Sequence, residues 1–94
     1  MSDAANLLPP AEFARLAREG RLVSGAGLAG RSLAGQDLCG AFLAALNLDG
    51  VDFSRARLEG ANLGQSSLKG ARFAGAELAR ADFSGAQCEG ADFG

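Results

Sequence analysis

The sequence predicts an all-β solenoid, and two observations lead there. From Leu28 to Phe93 every fifth residue is large or apolar: Leu28, Leu33, Leu38, Leu43, Leu48, Phe53, Leu58, Leu63, Leu68, Phe73, Leu78, Phe83, Cys88 and Phe93. Neither an α-helix, with its period of 3.6, nor a plain strand, with its period of 2, produces that beat. A fixed short repeat is the signature of units that bury an apolar face only by stacking on their neighbours. The second observation is the chemistry inside each unit, which alternates small, polar and large, and then turns.

Take the large residue as the centre of its unit. Two positions earlier stands alanine in nine of the fourteen units, as at Ala41, Ala56, Ala61, Ala71 and Ala91. One position earlier is usually polar: Asp37, Asn47, Asp52, Asn62, Asp82 and Asp92. Small-in, polar-out, large-in makes a three-residue strand. Glycine recurs two positions after the centre, at Gly30, Gly35, Gly40, Gly50, Gly60, Gly70, Gly75, Gly85 and Gly90. That place suits the third residue of a type II turn, which needs φ > 0.

These residues resemble the pentapeptide-repeat family, whose consensus is Ala-(Asp/Asn)-(Leu/Phe)-x-x. Ala61-Asn62-Leu63, Ala81-Asp82-Phe83 and Ala91-Asp92-Phe93 match it fully. The resemblance spans about residues 26 to 94. It implies a right-handed quadrilateral β-helix, four pentapeptides to a square coil of twenty residues. Fourteen units would make about three and a half coils, a stub about 17 Å tall at roughly 4.8 Å per coil.

The charges test the coil length independently. Residues one coil apart stack closely, so like charges should avoid that spacing. Steps of twenty give the columns Asp52–Arg72–Asp92, Asp37–Arg57–Glu77 and Asp49–Lys69–Glu89, all alternating in sign. Steps of fifteen pair Asp37 with Asp52, Arg57 with Arg72 and Glu77 with Asp92, all alike. The square coil is therefore preferred over a triangular one. As exposed ion pairs the ladders are worth roughly 0–1 kcal/mol each, so they are read as register and solubility devices and not as a site. The same step sorts the interior into four walls: Leu33–Phe53–Phe73–Phe93, Leu38–Leu58–Leu78, Leu43–Leu63–Phe83 below a degenerate Val23, and Leu28–Leu48–Leu68–Cys88.

Two segments follow, 1–20 as lead and capping helix and 21–94 as the repeat. Pro9-Pro10 suit a helix start, Ala11 to Glu19 read as one helix, and Gly20 as its stop. Phe13, Leu16 and Ala17 share a face expected to sit over the open first coil, helped by Leu7 or Leu8. With two Arg against two Glu the helix has no basic face for a membrane. At the other end the undersides of Leu78, Phe83, Cys88 and Phe93 are expected to face outward beside unpaired strand edges, an association surface. Its expected occupant is a second copy about a two-fold axis; a capping protein or the further coils of a longer solenoid are the alternatives. Self-association is also what the resemblance implies.

The first coil departs from the pattern. Arg31 and Gln36 take small inward positions, Leu46 and Val51 are oversized there, and Phe42 takes an outward one. Arg31 and Gln36 are expected near the upper rim, within reach of the helix. Phe42, beside Ala41, Ala44 and Ala45, is a candidate docking spot, with packing beneath the amino-terminal segment as the alternative.

Composition narrows function. Histidine is absent, which removes the commonest metal ligand and neutral-pH base. Cys39 falls on an outward corner and Cys88 on an inward centre, so no disulfide is expected and a reduced, cytoplasmic setting fits. Two separate cysteines make no zinc site, no apolar run approaches a membrane span, and the glycines lie in no strand–loop–helix context for phosphate. No catalytic residue, cofactor, metal or small-molecule substrate is expected, and no membrane or nucleic-acid partner. Two classes remain: a scaffold or protein-interaction module, and a mimic of DNA directed at gyrase or a related type II topoisomerase, as the resemblance allows. Mimicry needs a long, dense negative field. Residues 21–94 carry eight acids and seven bases, 7 − 8 = −1, and their signs alternate, so the scaffold reading is preferred.

Overall fold

The protein is described from a computed structural model covering residues 10–20 and 28–94. The expectations for Leu7, Leu8 and Val23 lie outside the described residues.

The repeat folds into coils of twenty residues. Every isolated bridge is parallel and joins residues twenty apart, from Ser32↔Asp52 through Asn62↔Asp82 to Arg72↔Asp92. Each strand is only as long as the small–polar–large triplet, so each contributes one bridge. Two hydrogen bonds frame the bridge between an outer residue and its partner one coil up. The outer residue's N–H reaches the carbonyl just before that partner: under Phe42, Asn62 N–H donates to Ala41 C=O at 2.9 Å. Its C=O accepts from the N–H just after the partner, as Asn62 from Leu43 at 2.8 Å.

The corners form as the glycine spacing predicts. The centre's C=O accepts from the N–H three residues on, as Phe53 from Ala56 at 2.9 Å. The intervening second corner residue is left-handed, with φ of 72° at Gly50 and 70° at Gly60. Ala45, Arg55, Gln65 and Arg80 hold the same conformation with φ near 60°, a strain that glycine elsewhere avoids.

The structure also gives the polar position a role beyond facing water. The first corner residue's N–H is used neither by the turn nor by the ladder, and the Asp or Asn two residues earlier accepts it. Asp52 Oδ1 takes the Ser54 N–H at 2.9 Å, and Asn62 Oδ1 the Gly64 N–H at 2.9 Å. Asp37, Asn47, Asp82 and Asp92 do the same for Cys39, Asp49, Ser84 and Gly94. These are Asx turns, and they explain why short side chains ending in an oxygen recur there.

The walls assemble as stepping by twenty orders them. Phe53 stacks on Phe73 with centroids 5.1 Å apart, and Phe73 on Phe93 at 4.9 Å. Leu38, Leu43, Leu48, Leu58, Leu63 and Leu68 are buried, as are the small inward Ala56, Ala61 and Ala71. The oversized Leu46 and Val51 are buried too. Beneath Leu46 the corner opens. Its N–H donates to Ser66 Oγ at 3.1 Å, and that hydroxyl donates to Leu43 C=O at 2.6 Å. Ser66, buried and one coil below, thus bridges the turn that the backbone closes directly elsewhere.

Among the described residues one helix precedes the coils, α1, Pro10–Arg18. Glu12 lies in its first turn and Arg15 and Arg18 in its last, each favourable to the helix dipole. Gly20 follows at φ 71°, a glycine stop just past the end. Its buried residues are Phe13, Ala14 and Ala17, with Leu16 only half-buried. Ala14 therefore takes the place expected of Leu16, because the face is centred on Phe13 and Ala17. Phe13 meets the first coil through Arg31, whose guanidinium lies 4.6 Å from the ring centroid.

Candidate interaction surface

The last coil brings the expected interface residues together on its underside. Leu78, Phe83 and Cys88 are half-buried, packed on the core from one side only. Phe93 is 51% exposed, although one face of its ring is taken by Phe73. Phe83 meets Phe93 edge-on, at 6.1 Å and 69°, and Phe73 at 5.8 Å and 75°. The upper coils bury the equivalent residues Phe53, Leu58, Leu63 and Leu68 completely. The underside is therefore an aromatic and aliphatic plane with core packing above it alone.

Phe42 stands apart from that cluster, on an outer wall of the first coil. Its ring is 54% exposed, so the side chain is not packed beneath the amino-terminal segment described. The backbone is engaged instead: Phe42 N–H donates to Ala17 C=O of α1 at 2.8 Å. Periodicity gave no signal for this contact, because the helix stands outside the repeat.

The outer walls divide by charge. Arg57 is flanked by Asp37 at 3.9 Å, Glu77 at 3.8 Å and Glu59 at 4.0 Å. Arg57, Asp37 and Glu77 are exposed and Glu59 is half-buried, so solvent screens much of the group. Asp49 accepts from the Ser67 hydroxyl and from Lys69 N–H. The walls Asn47–Ser67–Gln87 and Phe42–Asn62–Asp82 carry a single charged residue between them.

Hydrogen bonding holds several carboxylates below their ordinary range. The Cys39 N–H leads for Asp37, the Ser67 hydroxyl for Asp49, and the Ser54 and Ser84 side chains for Asp52 and Asp82. Burial raises the Cys39 thiol, with Asp37 adding to it, so this cysteine is not activated as a thiolate. Cys39 and Cys88 are both free. Among the described residues no group of three or more His, Cys, Asp or Glu is placed to hold a metal ion, and no helix is long and apolar enough to cross a membrane.

Parallel coils of twenty residues, square corners and an interior of stacked Leu and Phe define a β-solenoid. The family model described as pentapeptide repeats matches residues 32–65 and 61–94, with eight copies of the repeat. The chain belongs to the pentapeptide-repeat family, whose fold is the right-handed quadrilateral β-helix. Among solved structures it is similar to the pentapeptide repeat protein Rfr23 of the cyanobacterium Cyanothece 51142. The two share 30% identity and a TM-score of 0.68, over 70% of this chain and 46% of that one. A pentapeptide repeat protein of Nostoc Pcc 7120 is also 30% identical, over 68% of this chain and 57% of its own, with a TM-score of 0.48. One from the Arabidopsis thaliana thylakoid lumen is 27% identical over 70% and 57%, with a TM-score of 0.39. This chain spans about half the length of these solved relatives. No curated protein matches it.

Proposed function

We propose that this chain is a non-enzymatic scaffold, a protein-interaction module that pairs with a second copy through the underside of its last coil. In this reading the solenoid runs to about three and a half coils, and α1 acts as a cap over the first.

The observation that carries the proposal is Phe93, half-exposed yet already locked in an aromatic cluster with Phe73 and Phe83. An ordered aromatic surface has little side-chain freedom left to lose on binding, which favours association. Leu78, Phe83 and Cys88 extend the plane. Packing two such planes about a two-fold axis covers both at once. The lateral walls then remain for other proteins, with Phe42 as the exposed apolar point on them. A reducing, cytoplasmic compartment completes the reading, since Cys39 lies on an outer corner and Cys88 packs against the core. The near-balanced, alternating charges weigh against DNA mimicry.

Light scattering tests the pairing. The native chain should give a mass near twice 9.5 kDa, and Phe93→Asp should give monomer or aggregate. A native monomer, or a dimer untouched by Phe93→Asp, rules this surface out.

A further inference from the structure

The last coil, residues 75–94, is already covered on its upper side by residues 55–74, and the two coils match in three ways. Apolar centres stack, as Phe73 does on Phe93 at 4.9 Å. Backbone groups pair, as Phe73 N–H donates to Asp92 C=O at 2.7 Å. Net charge changes sign across the contact. Residues 35–54 carry three acids and no base, 0 − 3 = −3; residues 55–74 carry four bases and one acid, 4 − 1 = +3; residues 75–94 carry one base and four acids, 1 − 4 = −3. Each coil-to-coil contact therefore sets opposite signs together, as where Arg57 lies 3.9 Å from Asp37 and 3.8 Å from Glu77.

The underside offers the same apolar and backbone features to whatever covers it. The N–H groups of Leu78, Phe83, Cys88 and Phe93 have no backbone partner among the described residues, and their side chains form the apolar plane. Around that plane Glu77, Asp82, Glu89 and Asp92 are exposed, with Arg80 as the coil's one base. Asp82 and Asp92 each accept a corner N–H at 2.9 Å, which fixes their carboxylates on the rim. Pairing two last coils sets −3 against −3, the one contact at which the sign does not change. At a coil spacing of roughly 4.8 Å the rims lie within a Debye length, about 8 Å at physiological salt, so like charges oppose that pairing.

We infer that the tighter occupant of the underside is a partner protein presenting an apolar face inside a rim of Lys and Arg, and that a second copy is the weaker occupant, which such a partner displaces. A face of that kind reproduces what residues 55–74 offer the last coil from above. Apolar area supplies the attraction in both pairings, and the rims decide between them: like signs penalise the copy and opposite signs favour the basic partner.

The inference rests on the proposed role of the underside as the docking face, and the experiment separates the two. Its probe is this chain with the rim recharged. Glu77→Gln with Glu89→Gln takes the last coil to 1 − 2 = −1, and adding Ala79→Lys and Gln87→Lys takes it to 3 − 2 = +1. All four positions are exposed. Ala79 lies twenty residues after Glu59, and Gln87 bridges Ser67, so neither lysine is stacked on a base. Asp82 and Asp92 stay, because they hold corners. Circular dichroism checks that each variant folds. Dissociation constants of the native pair, of the double variant with itself, and of native chain with quadruple variant are measured at about 50 and about 500 mM salt, either side of physiological screening.

At low salt the native chain should bind the quadruple variant at least tenfold more tightly than it binds itself. Raising the salt should weaken that mixed pair, tighten the native pair and so narrow the gap. Phe93→Asp in the native chain should abolish both pairs. A mixed pair no tighter than the native one, or a gap that salt leaves unchanged, overturns the inference and leaves the pairing of copies standing. A native chain that is monomeric yet binds the quadruple variant sinks the pairing of copies and supports the basic partner. If neither pair forms, or if the mixed pair survives Phe93→Asp, the underside is not the docking face and both readings fall. Should the quadruple variant not fold, the double variant decides: it should pair with itself more tightly than the native chain does at low salt, and equal affinities overturn the inference.

Discussion

Replacing Ser66 with alanine tests how the repeat tolerates an irregular residue. At most corners the centre's carbonyl is bonded directly by the N–H three residues on. At Leu43 that bond is replaced by the Ser66 hydroxyl, which takes Leu46 N–H at 3.1 Å and gives its proton to Leu43 C=O at 2.6 Å. Ser66 is 1% exposed, so water cannot substitute for it without opening the coil. Ser66→Ala removes two hydrogen bonds, at about 0.5–1.5 kcal/mol each, and leaves a buried donor and acceptor at up to ~1–3 kcal/mol apiece. Partial closure of the turn recovers some of this, so the expected loss is about 2 kcal/mol. For a domain of this size that lowers Tm by roughly 8–16 °C. Thermal or urea unfolding followed by circular dichroism measures it. The double variant with Leu46→Ala restores a small residue above and lets the turn close, so the two substitutions should be less than additive, by about 1 kcal/mol or more. A Ser66→Ala protein within about 0.5 kcal/mol of native, the low end for a single hydrogen bond, would show that Leu46 never held the turn open and would refute this account.

Two further outcomes follow from the same geometry. Phe73 is stacked between Phe53 and Phe93 and edge-on to Phe83, so Phe73→Ala should cost about 3–5 kcal/mol; a cooperative unfolding transition near the native midpoint would contradict the stack's importance. Asp37, Asp49, Asp52 and Asp82 have folded pKa values lowered mainly by hydrogen bonds. Their contribution is therefore complete above the unfolded carboxylate value, near about 3.9, and is lost as pH falls below it through the folded values. Tm should drop between about pH 4 and pH 2, and the combined Asp37→Asn, Asp52→Asn and Asp82→Asn protein, which keeps the Asx acceptors, should drop less; equal slopes would refute the assignment.

Much of the architecture is legible in the sequence because its contacts are periodic. A residue's neighbours lie five and twenty positions away, so counting recovers the four walls, the Phe53–Phe73–Phe93 stack and the alternating columns. The interface candidates were legible for the same reason: Leu78, Phe83, Cys88 and Phe93 are the last centres of the four walls. The Ser66 bridge lay within reach of that counting, since Ser66 is twenty residues after the oversized Leu46, but its hydrogen bonds depend on how far one corner opens. The Asx role of Asp52 and Asn62 was visible only as polarity, because which N–H each oxygen accepts is set by the corner's dihedral angles.

The sequence by itself determined the coil length, the residues of each wall and the outward position of Phe42. Tertiary structure alone decided how the first coil is finished. Ala17 C=O on Phe42 N–H, Arg18 on Asp37 C=O and Arg31 over Phe13 join a helix to a β-coil, two periods with no common register. No spacing rule relates them; they are chosen by which backbone groups of the first coil the repeat leaves without a partner.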